Sequence, residues 1–187
     1  MMIDENRRNT IKIFLGATAA LGAGMLATPL VGSLVAERAG YIQPQRTGAI
    51  PIEVCKSPDN CPEEYAVPLE ELKNGPVFKL LKVNTMAIPA VFGIVRATDG
   101  KEYPVAYVSI CTHFGCPLNV SGGKYLTGFH CPCHGSSFIV CNNPDGCPDK
   151  KAAFLEMYVS SGPAVRSLRA VKVEVKNGKV YPLVAYV

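Results

Sequence analysis

The sequence predicts an all-β head of small antiparallel sheets carried on a single N-terminal transmembrane α-helix. Three observations predict it. Residues 13–36 are 24 consecutive uncharged, mostly apolar positions. From residue 52 onward short β-prone runs alternate with turn residues, and no stretch has the 3.6-residue period of an amphipathic helix. Four cysteines and all three histidines fall within residues 111–134, in two short loops entered from two of those runs.

Residues 1–12 carry Arg7, Arg8 and Lys12, while Glu37 and Arg38 follow the apolar run. That excess of positive charge ahead of the run predicts a cytoplasmic N-terminus and a head on the periplasmic or outer side of the cell (inner) membrane. At 1.5 Å per residue, 24 helical residues reach roughly 36 Å, more than the ~30 Å hydrocarbon core. Gly16, Gly22, Gly24 and Gly32 suit close packing against other helices in the bilayer. Pro29 would kink the span or fall near its far end. Arg7–Arg8 ahead of "NTIKIFLG" also looks like a loose twin-arginine export signal. The competing reading is a cleaved signal peptide. Its apolar region would be shorter, and Leu34-Val35-Ala36 is a poor cleavage site, so residues 13–36 are expected to stay as an anchor. A mean hydropathy of +0.16 with 18% charged residues agrees with a chain partly in lipid.

Residues 37–51, "ERAGYIQPQRTGAIP", mix Gly, Pro and polar residues without periodicity and read as a hinge or linker. Residues 52–187 form the head. "VPLEEL" (67–72) fits a helical turn or the start of a strand. "VFKLLKV" (77–83) and "VFGIVRA" (91–97) read as strands, followed by the turn "TDGKEY". "PVAYVSI" (104–110) leads into the first Cys/His loop, 111–117, and "KYLTGFH" (124–130) into the second, 131–138. "AVKVEV" (170–175), a Lys176-Asn177-Gly178 turn and "KVYPLVAYV" (179–187) read as a closing hairpin.

The net charge is a modest +4, and no basic run is interleaved with aromatics, so nothing supports nucleic-acid binding. Eight cysteines are many for 187 residues. In a reducing compartment they would be metal ligands; outside it some would be disulfides. Cys111, His113, Cys116, Cys131, Cys133 and His134 are too many for one structural zinc, which takes four ligands. A Cys-His catalytic pair leaves four residues without a role. An iron–sulfur cluster on two Cys and two His, with the other two Cys bridged, uses all six.

The pattern Cys111-Thr-His113 and Cys131-Pro-Cys-His134 resembles the Rieske [2Fe–2S] family. The resemblance implies a Rieske-like head with a two-loop cluster-binding subdomain. It implies that Cys111 and Cys131 hold one iron of a [2Fe–2S] cluster and that His113 and His134 hold the other. It implies a Cys116–Cys133 disulfide clasping the loops, worth on the order of 3 kcal/mol by chain entropy. Because soluble oxygenase ferredoxins generally lack that bridge, it points to the membrane-bound subunits of quinol-oxidising cytochrome complexes. The implied partners are a cytochrome b subunit, a c-type cytochrome, quinol and the lipid bilayer, in a dimeric multi-subunit quinol:cytochrome c oxidoreductase. Two neutral imidazoles make the cluster less anionic, raising its potential to roughly −150 to +300 mV against about −400 mV for all-Cys plant-type clusters. His134 would contact the quinol and take its proton. A molybdenum oxidase subunit, as in arsenite oxidase, is the second reading; a zinc-stabilised binding module is the third.

Ser136 matches the family's serine, which donates to a bridging sulfur. Phe138 stands where many quinol-oxidising relatives have tyrosine, and lacks the hydroxyl that raises the potential. A lower potential is expected, suited to a menaquinol; the alternative is that Phe138 is ordinary packing. Phe114, apolar at a loop tip, suits docking or covers the cluster from solvent. "SGPA" (161–164) resembles a Gly-Pro loop that walls the cluster, with Pro163 as the wall residue. His130 is out of register with the ligand pattern and reads as a strand-end residue. Cys55/Cys61 and Cys141/Cys147 share the form Cys-x-x-Pro-Asp-x-Cys and suit two local disulfides. Cross-pairing between them and a second metal site are the other options.

Overall fold

The computed structural model describes residues 49–147 and 152–187. The anchor and most of the hinge lie outside them. Among the described residues no helix is long and apolar enough to cross a membrane.

Among the described residues eleven strands form two antiparallel sheets. The larger contains β1 (Pro51–Glu53), β2 (Val67–Pro68), β3 (Val77–Val83), β4 (Met86–Arg96), β5 (Glu102–Val108), β10 (Ala170–Lys176) and β11 (Lys179–Tyr186). Its order is β1-β11-β10-β5-β4-β3, with β2 also on β11. The smaller is β6 (Asn119–Gly122), β7 (Leu126–His130), β8 (Ser137–Val140) and β9 (Met157–Ser161), paired in chain order. The helical content described is slight: two 3₁₀ turns, Pro58–Asn60 and Glu63–Tyr65, and α1 (Leu69–Leu72). "VPLEEL" therefore splits into a two-residue strand and a helical turn.

β4 and β5 are the wall between two cores, and their alternation shows it. Val91, Val95, Tyr103, Val105 and Tyr107 face the core shared with the smaller sheet. Ala90, Phe92, Ile94, Ala106 and Val108 face the other core. A strand buried on both faces reads as a continuous apolar run, as "VFGIV" and "PVAYV" do. β4 starts earlier than the sequence run. Asn84 takes φ 53 in the turn after β3, and Val83 pairs with Met86 directly. Pro89 sits inside β4 yet keeps its carbonyl useful, accepting from Ser109 N–H at 2.9 Å.

β3 is the outer strand of the larger sheet, and a strand edge leaves backbone groups unpaired. Tyr65, from the second 3₁₀ turn, covers part of it. Its hydroxyl donates to the Lys82 carbonyl at 2.7 Å and accepts from the Lys82 N–H at 3.1 Å. Tyr65→Phe removes both bonds while keeping the buried ring. The expected loss is about 1–2 kcal/mol, read as a lower urea midpoint with an unchanged slope; an unchanged midpoint would show the edge is satisfied by water alone.

Candidate metal centre

The two Cys/His loops are built on the same turn. In the first, Cys111 N–H donates to the Cys116 carbonyl and Gly115 N–H to the Cys111 carbonyl, at 2.8 and 2.9 Å. In the second, Cys131 N–H donates to the Ser136 carbonyl and Gly135 N–H to the Cys131 carbonyl, at 2.8 and 3.1 Å. Gly115 and Gly135 sit at φ +74 and +75. Only glycine takes that left-handed region without strain, so each loop can close on its cysteine. Strand β5 delivers the first loop and the hairpin of β7 and β8 frames the second. The loops therefore meet as a matched pair.

Cys116 and Cys133 are joined by a disulfide, with Cα atoms 6.6 Å apart. Disulfides also join Cys55 to Cys61 and Cys141 to Cys147. That leaves Cys111 and Cys131 as the free cysteines among the described residues, and both are buried. The sulfurs of Cys116, Cys131 and Cys133 lie within 4.8 Å of one another. Two of these three are bonded to each other, so only Cys131 retains a thiol to offer a metal. Burial, reinforced by neighbouring Cys131, pushes the Cys111 thiol above its ordinary value. Burial acts the same way on Cys131, but the N–H groups of Cys133 and His134 and the Cys111 thiol outweigh it and hold Cys131 below the thiol range. A metal bound there would take both sulfurs as thiolates and release their protons.

Two of the three histidines lie in the same two loops. The rings of His113 and His134 meet edge to face with centroids 5.0 Å apart. His113 Nδ1 is buried and has no hydrogen-bond partner among the described residues. A buried polar atom without a partner is costly, and native chains rarely keep one unless a water or ion satisfies it. Beside two buried thiols and a second imidazole, that nitrogen fits a metal centre with mixed sulfur and nitrogen donors. His134 is exposed at the tip. His130 ends β7, is exposed, and its Nδ1 lies 3.1 Å from Ser137 Oγ. Phe114 lies against both candidate histidine ligands, 4.2 Å from the His113 ring and 5.9 Å from that of His134, and stays 76% exposed.

A third segment, residues 162–168, crosses both loops. Ala164 N–H donates to Ser136 Oγ at 3.1 Å. Thr112 Oγ1 donates to the Arg166 carbonyl at 2.7 Å. Gly162 packs its backbone on Ser136, and exposed Pro163 follows it. Ser136 is completely buried and its oxygen already accepts, so its one hydrogen is available to a neighbouring acceptor. Phe138 is 1% exposed, paired with Phe129 across β7 and β8.

The sequence reasoning missed Glu156 and Ser167. Ser167 Oγ donates to Glu156 Oε1, and Ala153 N–H donates to Glu156 Oε2 at 2.7 Å. The phenol of Tyr107, which donates to the Leu155 carbonyl at 2.6 Å, is pushed far above its ordinary value by burial and then by the Glu156 charge. A lone Glu in an irregular segment gives no periodic signal; its position after an all-apolar "AAFL" was the only hint.

Phe138→Tyr tests the tuning expectation. If the new hydroxyl reaches a ligand sulfur, the midpoint rises in protein-film voltammetry. An unchanged or lower midpoint would mean that Phe138 is packing only.

Three curated relatives are similar to this chain. The chloroplast cytochrome b6-f complex iron-sulfur subunit of Bigelowiella natans is 39% identical over 74 residues, 38% of this chain and 22% of that one. The ubiquinol-cytochrome c reductase iron-sulfur subunit of Bradyrhizobium diazoefficiens is 26% identical over 71% of this chain and 76% of that one. Cytochrome b6-f complex iron-sulfur subunit 2 of Nostoc is 34% identical over 44% of this chain and 37% of that one. The matches thus span well under two thirds of the Bigelowiella and Nostoc proteins. Among solved structures, the soluble domain of Rieske protein II from Sulfolobus acidocaldarius aligns over 73% of this chain and 78% of its own, at 16% identity and a TM-score of 0.41. The family model of the Rieske [2Fe-2S] domain matches residues 65–165. That range holds both cysteine–histidine loops, their disulfide clasp and the start of the crossing segment, and this chain belongs to the Rieske family, whose domain carries a [2Fe–2S] cluster.

Proposed function

We propose that this chain is the electron-transfer subunit of a cytochrome bc-type complex that oxidises quinol. The observation that carries the reading is the asymmetry of the two imidazoles. His113 is tucked in with a buried, unpartnered Nδ1, while His134 stands exposed at the tip beside an exposed Phe114. Cys111, Cys131, His113 and His134 hold the cluster. When bound, it supplies a one-electron acceptor at a potential a quinol can reduce. An imidazole has two nitrogens, so a ligand histidine keeps one for a hydrogen bond. His134 accepts that bond from a quinol hydroxyl and takes its proton. Phe114 offers an apolar face to the quinol ring and packs against the His113 imidazole. Ser136 directs its hydroxyl hydrogen inward, and Phe138 excludes water without donating, which favours a low-potential quinol such as menaquinol. Pro163 caps the loops from the third side.

The partners that follow are a cytochrome b subunit, which shares the quinol site, and a c-type cytochrome as acceptor, in a dimeric multi-subunit complex. The names of the Bradyrhizobium and Nostoc relatives support such a complex. Residues 13–36 anchor the chain in the cell (inner) membrane, with the N-terminus cytoplasmic and the head outside, and the linker from residue 37 acts as the hinge up to β1, which takes in the last residue expected of the hinge, Pro51.

The test is EPR of dithionite-reduced membranes with and without a quinol-site inhibitor. A Rieske signal whose line shape responds to the inhibitor, from a preparation that co-purifies b-type haem, is the expected result. An indifferent signal with molybdopterin in the preparation would instead assign the chain to a molybdenum oxidase such as arsenite oxidase. Zinc in place of iron would sink both readings.

A further inference from the structure

Leu155 is a large, fully buried residue at φ 63. Bulky side chains seldom occupy the left-handed region, and strain there survives only where surrounding contacts over-determine it. Here they do. The Leu155 carbonyl accepts from Tyr107, its N–H donates to the Cys141 carbonyl at 2.8 Å, and its side chain is 1% exposed. The strained corner turns the next residue, Glu156, into the protein, where it is 6% exposed.

Among the described residues no cation pairs with Glu156. Its carboxylate accepts instead from Ala153 N–H and from the Ser167 hydroxyl. The second contact fixes the far end of the segment that crosses the cluster loops, and Leu168 N–H, donating to the Met157 carbonyl at 2.8 Å, holds it beside β9. The near end of the same segment gives Ala164 N–H to Ser136 Oγ. A hydroxyl that accepts from one fixed donor has its own hydrogen aimed elsewhere, and in a completely buried side chain few directions remain.

We infer that Glu156 is a positioning residue: through Ser167 it sets the crossing segment, and through Ala164 it aims the Ser136 hydroxyl, so that it tunes the centre without touching it. The inference rests on the reading of Ser136 as a donor toward the centre. Burying a carboxylate to hold a serine is a costly way merely to tether a loop. It is a sound way to hold one donor in one orientation, because hydrogen bonds to a charged acceptor are shorter and stronger than neutral ones.

The experiment uses the full chain loaded with iron and the variants Ser167→Ala, Glu156→Ala, Glu156→Gln and Ser136→Ala. Ser167→Ala is small and conservative, so it decides the matter even if Glu156→Ala fails to fold. In Ser167→Ala iron content stays at wild type, while the Ala164 amide exchanges roughly tenfold faster, the factor for one lost hydrogen bond to a charged group. The midpoint shifts downward, in the same direction as in Ser136→Ala and by less. Glu156→Ala does the same or more. Glu156→Gln, which can still accept from Ala153 and donate to Ser167, recovers most of the wild-type midpoint. Wild-type exchange and midpoint in Ser167→Ala would overturn the inference, as would an unmoved midpoint in Ser136→Ala. Neither result touches the quinol reading, which stands or falls on the inhibitor response.

Discussion

His113→Ala is expected to empty the metal centre. Iron per chain falls from two to near zero, and the reduced-state EPR signal disappears. The reason is specific to where His113 sits. Its Nδ1 is buried and without a partner among the described residues, so the imidazole is the group at that place able to hold a metal. By the proposed ligand set, two thiols and one exposed imidazole would remain, too few to satisfy two irons. The same variant separates binding from folding. In the metal-free chain the orphaned nitrogen is a liability, since a buried group without a partner costs about 1–3 kcal/mol. Removing it should leave the metal-free melting temperature unchanged or higher, offset only by the lost ring packing against Phe114 and His134. The loaded wild type should melt above the metal-free wild type, because binding free energy adds to folding free energy when the unfolded chain has no site. His113→Ala should melt with the metal-free form whatever iron is supplied. His130→Ala is the control: exposed and bonded only to Ser137, it should keep both irons. Equal iron loss in the two variants would sink the assignment of the ligands.

How much of this was legible in the sequence depends on the kind of signal. The strands buried on both faces were readable, because β-branched and aromatic runs such as 91–95 and 104–108 have no other use. The closing hairpin was readable from Asn177-Gly178, which take φ 50 and 73 in a two-residue turn. Strands β6, β8 and β9 were not, since each is four or five residues long and mixes serines and glycine with apolar residues. β4 begins five residues ahead of the run expected at 91–97, on the far side of Pro89, which supplies no ladder N–H. Only its place in the pairing shows that its missing N–H does no harm. The cysteine–histidine spacing carried the centre, because metal donors leave a residue-type signature that loops do not blur. The crossing segment was readable only through its likeness to a Gly-Pro loop. The Leu155–Glu156 corner was invisible, because nothing in the word leucine announces a left-handed backbone. Residues 13–36 lie outside the described structure, so the anchor remains a reading of the sequence.

Gly162→Ala is expected to unseat the crossing segment from the second cluster loop. Gly162 has φ +89, and a Cβ there would come within 2.4 Å of Ser136 Cα and 2.7 Å of both Gly135 O and Ser136 N. All three are backbone atoms of the second cluster loop, whose hydrogen bonds to Cys131 leave them no freedom to retreat. The crossing segment must therefore lift away, breaking the Ala164–Ser136 bond and exposing the centre. Left-handed strain for alanine adds about 1 kcal/mol, and the displaced packing brings the total to roughly 2–4 kcal/mol. Gly115→Ala is the matched comparison. It has φ +74 and the same hydrogen bond to its cysteine, but nothing lies within 4 Å of its added methyl. It should show the backbone strain alone, about 1 kcal/mol. The two variants, compared by urea midpoint in the loaded protein, separate backbone strain from contact between segments. If both cost the same, the crossing segment is not seated on the second loop as described. If Gly162→Ala alone also loses iron on dilution, the segment is part of what retains the metal, and the wall over the centre is a working one.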